Sequence, residues 1–394
     1  MQTASAFIRL VLTAVLALAG AAAPAQPKLP AAELFFQEPA TSGAQLSPDG
    51  RYVAMKVAAK GHHARLAVLD LQTMKPDVVA SFNETAVGDF RWVNDKRLVF
   101  DLQQTLTGPA RAEHGPGLFA VDADGGNFRQ LVETYLAFVK VGDTGTPLLT
   151  WRNQLLRSQA PRNDDDVFVI EPGEVSKEKV DYFVLRRLNT RTGRATEVDA
   201  PLHAVDWTLD AQGELRLATT REGKDLAVHR RDEAGRWKKL SSFELYASDG
   251  WSPRFITPDG ALWAVAGHGD KDAVFRVDPA TGQRADKPLV ASKDFDVHPQ
   301  FLVGRGKLLG VRHTLDGEVT QWFDDEAKAL QATIDALLPA TANRLSMPQR
   351  GSSPYVLVQA YSDVQPEVML VYHTGTRKLT RLGSTHPGID PKQM

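Results

Sequence analysis

Cysteine is missing from all 394 residues, which excludes disulfides, thiolate metal centres and thiol nucleophiles together. Surplus charge is missing too, since 46 basic side chains against 48 acidic ones leave a formal net charge of −2. Such a balance gives no electrostatic footprint for nucleic acid or an anionic membrane surface. The apolar run at residues 10–22 follows a single basic residue, Arg9, and falls short of the ~20 residues that span a bilayer. Ala23-Pro24-Ala25 then supplies a small-residue cleavage site. Residues 1–25 therefore read as an export signal, Gln26 as the mature start, and the protein as periplasmic or secreted without a stable membrane anchor. A nucleophile elbow is the last absence. No serine lies in a G-x-S-x-G pattern, and the nearest approach, Gly351-Ser352-Ser353-Pro354, lacks the second glycine.

What the sequence does contain is a repeat. "QLSPDGRYVAM" (45–55) places an Asp-Gly turn between two alternating runs, a strong hairpin signal because Gly50 reaches positive φ at no steric cost. Degraded copies follow at Asn94-Asp95-Lys96, Asp210-Ala211-Gln212-Gly213, Pro258-Asp259-Gly260, Gly304-Arg305-Gly306 and Gln349-Arg350-Gly351, with a blurred one near Gly142-Asp143-Thr144-Gly145. A second turn series is clearer. It begins at Asp70, Asp122, Asn189, Asp232, Asp278, Asp324 and His373, in steps of 52, 67, 43, 46, 46 and 49 residues. A period of roughly 40–50 residues with about four short strands per unit is the signature of β-propeller blades. The expected fold is all-β: a seven-bladed β-propeller of four-stranded antiparallel blades, with a short helix inserted in blade six.

Two stretches break the period. The 67-residue step predicts a charged, exposed insertion at 158–179. "DEAKALQATIDALLP" (325–339) places Ala327, Leu330, Ile334, Leu337 and Leu338 on one helical face, with Asp324 or Asp325 as cap and Pro339 as stop. That helix is expected on the edge of blade six. The chain divides into the signal at 1–25, a lead-in at 26–43, the propeller at 44–384 and the start of a linker at 385–394. Blades one and seven each hold four candidate strands, so neither lends a strand to the other. Side-chain packing alone is then expected to close the ring, leaving a weak seam suited to gating.

Four local patterns were weighed for chemistry. Asp122-x-Asp124-Gly125-x-Asn127 suggests part of a calcium loop but misses its ligand spacing and occupies the hairpin slot. Residues 163–166 lack the required glycine and read as solvated loop. His62 and His63 are neighbours that a strand would point to opposite faces, and His268-Gly269-Asp270 reads as an exposed loop. No catalytic, cofactor-binding or metal-binding residue is assigned, and no cofactor is expected.

The sequence resembles the N-terminal propeller of bacterial prolyl oligopeptidase-family serine peptidases over nearly all of the mature chain. The stretches that carry the likeness are "LFFQEPATSGAQLSPDGRYVAM" (34–55), "FRWVNDKRLVF" (90–100), "GLFAVDADGGNFRQL" (117–131), "DEAKALQATIDALLP" with "NRLSM" (325–347), "YSDVQPEVMLVYHTGTRKLTRLG" (361–383) and the tail "HPGIDPKQM" (386–394). The resemblance implies a lid that limits access to short peptides. It places the Ser-Asp-His triad in a C-terminal α/β-hydrolase domain, which begins where this sequence stops. No catalytic residue carries over, and the paired-glutamate motif of dipeptidyl-peptidase relatives has no counterpart. The implied partners are that hydrolase domain, or a separate protein, and short peptide substrates. The alternative is a stand-alone periplasmic propeller that binds a protein or peptide.

Overall fold

The computed structural model describes residues 30–394 except 60, 104–115, 135–144, 146, 159, 174, 177–178 and 246. The expected signal at 1–25 lies outside them. Seven antiparallel sheets follow one another along the chain, five of four strands and two of three. They form blades one (41–80), two (86–134), three (154–197), four (204–244), five (251–290), six (300–337) and seven (342–384).

Each blade is buried on both faces, which explains why its middle strands are apolar without alternation. Val53-Ala54-Met55 and Leu66 through Leu69 are buried at consecutive positions. A separate hydrophobic cluster fills every junction. Ala54, Leu66 and Val68 meet Phe90, Trp92 and Phe100 between blades one and two, and Leu217 and Val228 meet Trp251 and Phe275 between four and five. Because one blade cannot cover its own faces, the ring folds as a single unit.

The ring closes between blades seven and one by the same device. Leu357, Met369 and Val371 pack on Ala44, Val53, Met55 and Leu69. Among the described residues no strand is exchanged. Side-chain packing is not alone, however. The Ala40 amide donates to the Thr385 carbonyl (2.7 Å) and the Arg350 amide to the Pro48 carbonyl (3.0 Å), so main-chain hydrogen bonds also cross the junction.

The opening motif is explained by its contacts. Ser47 Oγ accepts from the amides of Arg51 and Tyr52 (3.1 and 2.9 Å), tightening the turn from within. Gly50 sits at φ 72°, where a Cβ would stand 2.5 Å from Pro348 Cγ and 2.8 Å from Ser353 Cβ. The glycine is thus required by blade seven as well as by the turn.

Three expectations need correction. Blade three's innermost strand is only Gln154–Leu155, and its second is Asp166–Pro172, with Val167, Phe168 and Val169 buried. The segment 158–179 therefore holds a core strand rather than one exposed insertion. Its added length comprises a crossing loop at 156–165 and a small hairpin at 175–180. The turn assigned near 142–145 precedes that innermost strand, and residues 142–144 lie outside the described set. Blades five and six have three strands. In blade five, residues 284–290 return along the third strand with only isolated bridges.

In blade six, helix α1 (Asp325–Leu337) stands where a fourth strand would run. Asp324 caps it by accepting from the Ala327 amide (2.9 Å), and Asp325 and Glu326 in its first turn suit the helix dipole. Ala327 and Ile334 are buried, but Leu337 is half exposed. Ile334, Leu330 and Leu338 pack on the cluster of Leu345, Val356, Val358 and Tyr372. The helix therefore serves the junction of blades six and seven, not a free blade edge.

Candidate functional site: an arginine-lined channel

Each blade is an up-and-down meander, so the turns joining strands one to two and three to four share one face of the ring. The chain ends and the remaining connections share the other. Both turn series read from the sequence, apart from the copy placed near 142–145, therefore lie on the first face, and four of its aspartates are held by arginines. Arg51 pairs with Asp70 (2.9 Å), Arg97 with Asp122 (2.6 Å), Arg216 with Asp210 (2.7 Å) and Arg236 with Asp232 (3.1 Å).

The crossing loop lies over this face. Its Arg162 amide donates to the Val93 carbonyl of blade two (2.7 Å), and Ser158 Oγ donates to the Trp207 carbonyl of blade four (2.8 Å). The Arg162 guanidinium, nearly buried, pairs with Asp164 (2.8 Å) and with Glu214 of blade four (2.9 Å), and donates to the Gly213 carbonyl. From blade seven, Arg350 pairs with Asp95 of blade two (2.9 Å) and donates to Asn163 and to the Arg162 carbonyl (3.1 Å). The loop thus spans the turn-face rim from blade four to blade two, where Arg350 of blade seven meets it, and Ser158, Ala160 and Pro161 stand on the wall of the central cavity. It obstructs the channel at the turn face.

Behind the loop lies a cavity of about 520 Å³, walled by the innermost strands of the ring. Gln45, Arg91, Arg254, Phe255, Gln300 and Phe301 contribute to it, and it continues to Arg312 and Trp322 between blades six and seven. The guanidinium groups of Arg91 and Arg254 make no hydrogen bond or ion pair among the described residues, and both residues are exposed. Arg312 is 6% exposed. Burial pushes its guanidinium down, against the pull of Glu318 at 3.4 Å. Asp210 is already answered by Arg216 and by the amides of Gln212 and Glu214 (2.9 Å each). Nearby, Asp206 is pushed up by burial, with Arg254 and Arg157 opposing. A neighbouring cavity of about 290 Å³ holds Asp101, which burial pushes to about 6 while the Asp89 amide bonds it at 2.6 Å.

On the other face the lead-in and the tail pack together. His386 Nε2 lies 3.2 Å from the Gln37 carbonyl, and Ile389 is buried. Leu34, His62, His63 and His386 line a cavity of about 530 Å³ there. Phe35, Val364, Ile389 and Met394 line a smaller one of about 260 Å³, beside Phe36, which is 88% exposed.

The patterns weighed in the sequence find places. Asp122-x-Asp124-Gly125 is a turn, with Gly125 donating to the Asp122 carbonyl (2.9 Å). The Asp122 carboxylate is occupied by Arg97, Asn127 and Arg191. Residues 163–166 are not free in solvent but clasped by Arg162, Arg187 and Arg191. His62 and His63 face one cavity with His386, yet no metal-holding group occurs among the described residues. His268 ends a strand and is exposed, its ring edge-on to Phe275 at 5.9 Å. Ser353 Oγ donates to the Gly50 carbonyl (2.7 Å) across the ring closure. No hydrogen bond between described residues joins a serine to a histidine. The channel arginines escaped sequence reading because nothing in the repeat marks them.

No family model and no curated protein matches this sequence. Solved structures do match its fold. A prolyl endopeptidase, whose study concerns inter-domain dynamics in catalysis and specificity, superposes with a TM-score of 0.55 at 14% identity, covering 93% of this chain and 54% of its own. Oligopeptidase B from Leishmania major gives 0.52 at 11%, covering 90% and 50%. Puromycin hydrolase gives 0.50 at 16%, covering 93% and 57%. The likeness read from the sequence thus reappears in the architecture, and the chain spans about half the length of these proteins.

Proposed function

We propose that the chain is the non-catalytic propeller of an exported prolyl oligopeptidase-like serine peptidase. It acts as a lid that admits short peptides to an α/β-hydrolase contributed from outside these residues. The observation that carries the proposal is the pairing of fold with polarity. A propeller like those of a larger prolyl endopeptidase and a larger oligopeptidase gathers both chain ends, an apolar patch around Phe36 and two cavities on one face, while a loop obstructs the opposite mouth. An exposed apolar patch beside cavities suits a partner surface, and a closed chamber excludes water and orients substrate.

The test is to read the genome around the Met394 codon for a frame encoding G-x-S-x-G and to co-express its product with this chain. Assembly, serine-reagent labelling and cleavage of short peptide nitroanilides, with folded proteins spared, are the expected results. A locus without a hydrolase, or a hydrolase that ignores the chain, overturns the proposal in favour of a stand-alone binding propeller. The seven filled blade junctions are the observation that favours that second reading.

A further inference from the structure

We propose that the central channel receives the free C-terminal carboxylate of a short peptide, with Arg91 and Arg254 as its charge partners. The peptide chemistry rests on the reading above; the carboxylate chemistry rests on the channel alone.

Charge points to an anion. Arg91, Arg254 and Arg312 line the cavity. The one aspartate on its wall, Asp210, is taken up by Arg216 and two amides. Arg312 is partly answered by Glu318, which Arg344 also holds at 2.7 Å. Arg254 has Asp206 nearby, a carboxyl that burial drives toward its neutral form. Two guanidinium groups, one from blade two and one from blade five, therefore line the channel, exposed and with their forks unfilled. A guanidinium binds a carboxylate in two parallel hydrogen bonds.

The rest of the wall suits a peptide better than a bare anion. Phe255 and Phe301 stack at 5.2 Å, and with Leu302, Leu345 and Trp322 they give apolar surface beside the cations. The amides of Gln300 and Gln349 add donors and acceptors for a main chain. At about 520 Å³ the cavity falls within the usual range for small ligands.

The loop over the turn face selects an end. With Ser158, Ala160 and Pro161 on the wall there, the turn-face mouth is the obstructed one. Among the described residues, no hydrogen bond or ion pair joins non-neighbouring blades at the opposite mouth. A peptide entering there arrives with one terminus foremost, and the arginines favour the carboxylate. Anchoring that terminus at fixed depth would measure substrate length from its C-terminal end.

The experiment is calorimetric titration of this chain with one N-acetylated tetrapeptide as free acid, as C-terminal amide, and as an amide carrying an internal glutamate. Inorganic phosphate is the competitor. The free acid is expected to bind at least tenfold more tightly than either amide. Arg91→Gln with Arg254→Gln should abolish that preference, Arg254→Lys should restore part of it, and rim-exposed Arg236→Gln should leave it intact. A melting curve checks that each variant is folded. Equal binding of acid and amide, or a preference that survives the double substitution, overturns the proposal. Binding of the internal glutamate as tightly as the free acid removes the terminus, and equal competition by phosphate removes the peptide. Failed hydrolase assembly with the free-acid preference intact would count against the peptidase reading alone.

Discussion

The guanidinium of Arg350 lies 2.9 Å from the carboxylate of Asp95, joining blade seven to blade two past blade one. It also donates to Asn163 and to the Arg162 carbonyl of the crossing loop. Both side chains are about one-third exposed, so a double-mutant cycle should return a coupling of only ~0.5–1 kcal/mol. The larger effect of Arg350→Ala is expected in the loop. Limited proteolysis should cut within 160–165 several-fold faster in the variant and leave the rest of the ring resistant. Unchanged cleavage there would show that the loop is held without this latch.

Arg97 offers a contrast because its side chain is fully buried. It donates to Asp122 (2.6 Å), to Thr190 Oγ1 (2.7 Å) and to the Thr190 carbonyl (2.7 Å). Removing it leaves Asp122 with Arg191 and Asn127, and Thr190 Oγ1 with the Asp165 carbonyl (2.7 Å), but orphans the Thr190 carbonyl. Arg97→Ala should therefore cost about 2–3 kcal/mol, from one buried acceptor left unpaired and the packing lost with the side chain. Chemical denaturation is the measurement, and a loss below about 1 kcal/mol would contradict the buried-network account.

Two aspartates predict opposite responses to pH. Burial pushes the Asp122 carboxyl up, but hydrogen bonds from Asn127, Arg191 and Arg97 outweigh burial and hold it below the usual range. Its stabilisation is full above the unfolded carboxylate value, about 4, and is lost as pH falls through the lower folded value. Asp101 runs the other way. Burial raises it to about 6, the nearby Asp89 charge adds to the rise, and the Asp89 amide and Lys56 oppose it. Its protonated form suits the fold, so its contribution is present below about pH 4 and lost as pH rises through 6. Asp101→Asn should then match the parent near pH 4 and exceed it by about 3 kcal/mol at pH 7.5. Urea midpoints across that range decide it, and a pH-independent difference would refute the assignment.

The parts of this fold legible in the sequence are those that repeat. Asp70, Asn189 and Asp278 each accept from the amides two and three residues on, a local requirement that favours Asp or Asn where the third strand ends. Blade number follows from counting them. Helix α1 was legible from its cap and spacing, but not its role. The same apolar face could cover blade six or blade seven, and only contact with Leu345 and Val356 decides. Residues 163–166 read as solvated in the sequence because a run of carboxylates gives no sign of the arginines that clasp it in space, Arg162, Arg187 and Arg191. The channel is least legible of all. Arg91 and Arg254 become neighbours of one cavity only when seven sheets share an axis, and no local pattern carries that information.

The ring closure yields the sharpest single substitution. Gly50 and Gly260 occupy the same turn position in blades one and five, with φ 72° and 83°. A Cβ at Gly260 would meet nothing within 4 Å, whereas at Gly50 it would meet Pro348 and Ser353 of blade seven at 2.5 and 2.8 Å. Alanine at either site bears the strain of a left-handed backbone, about 1 kcal/mol. Only Gly50→Ala adds overpacking, a further ~1–3 kcal/mol. The excess loss of Gly50→Ala over Gly260→Ala therefore measures how tightly blades one and seven are locked. Hydrogen exchange should show faster exchange at the Arg350 and Ala40 amides, which bond across the closure, in Gly50→Ala alone. Equal losses in the two variants would mean that blade seven yields at no cost, and that the ring opens there as a weak seam would.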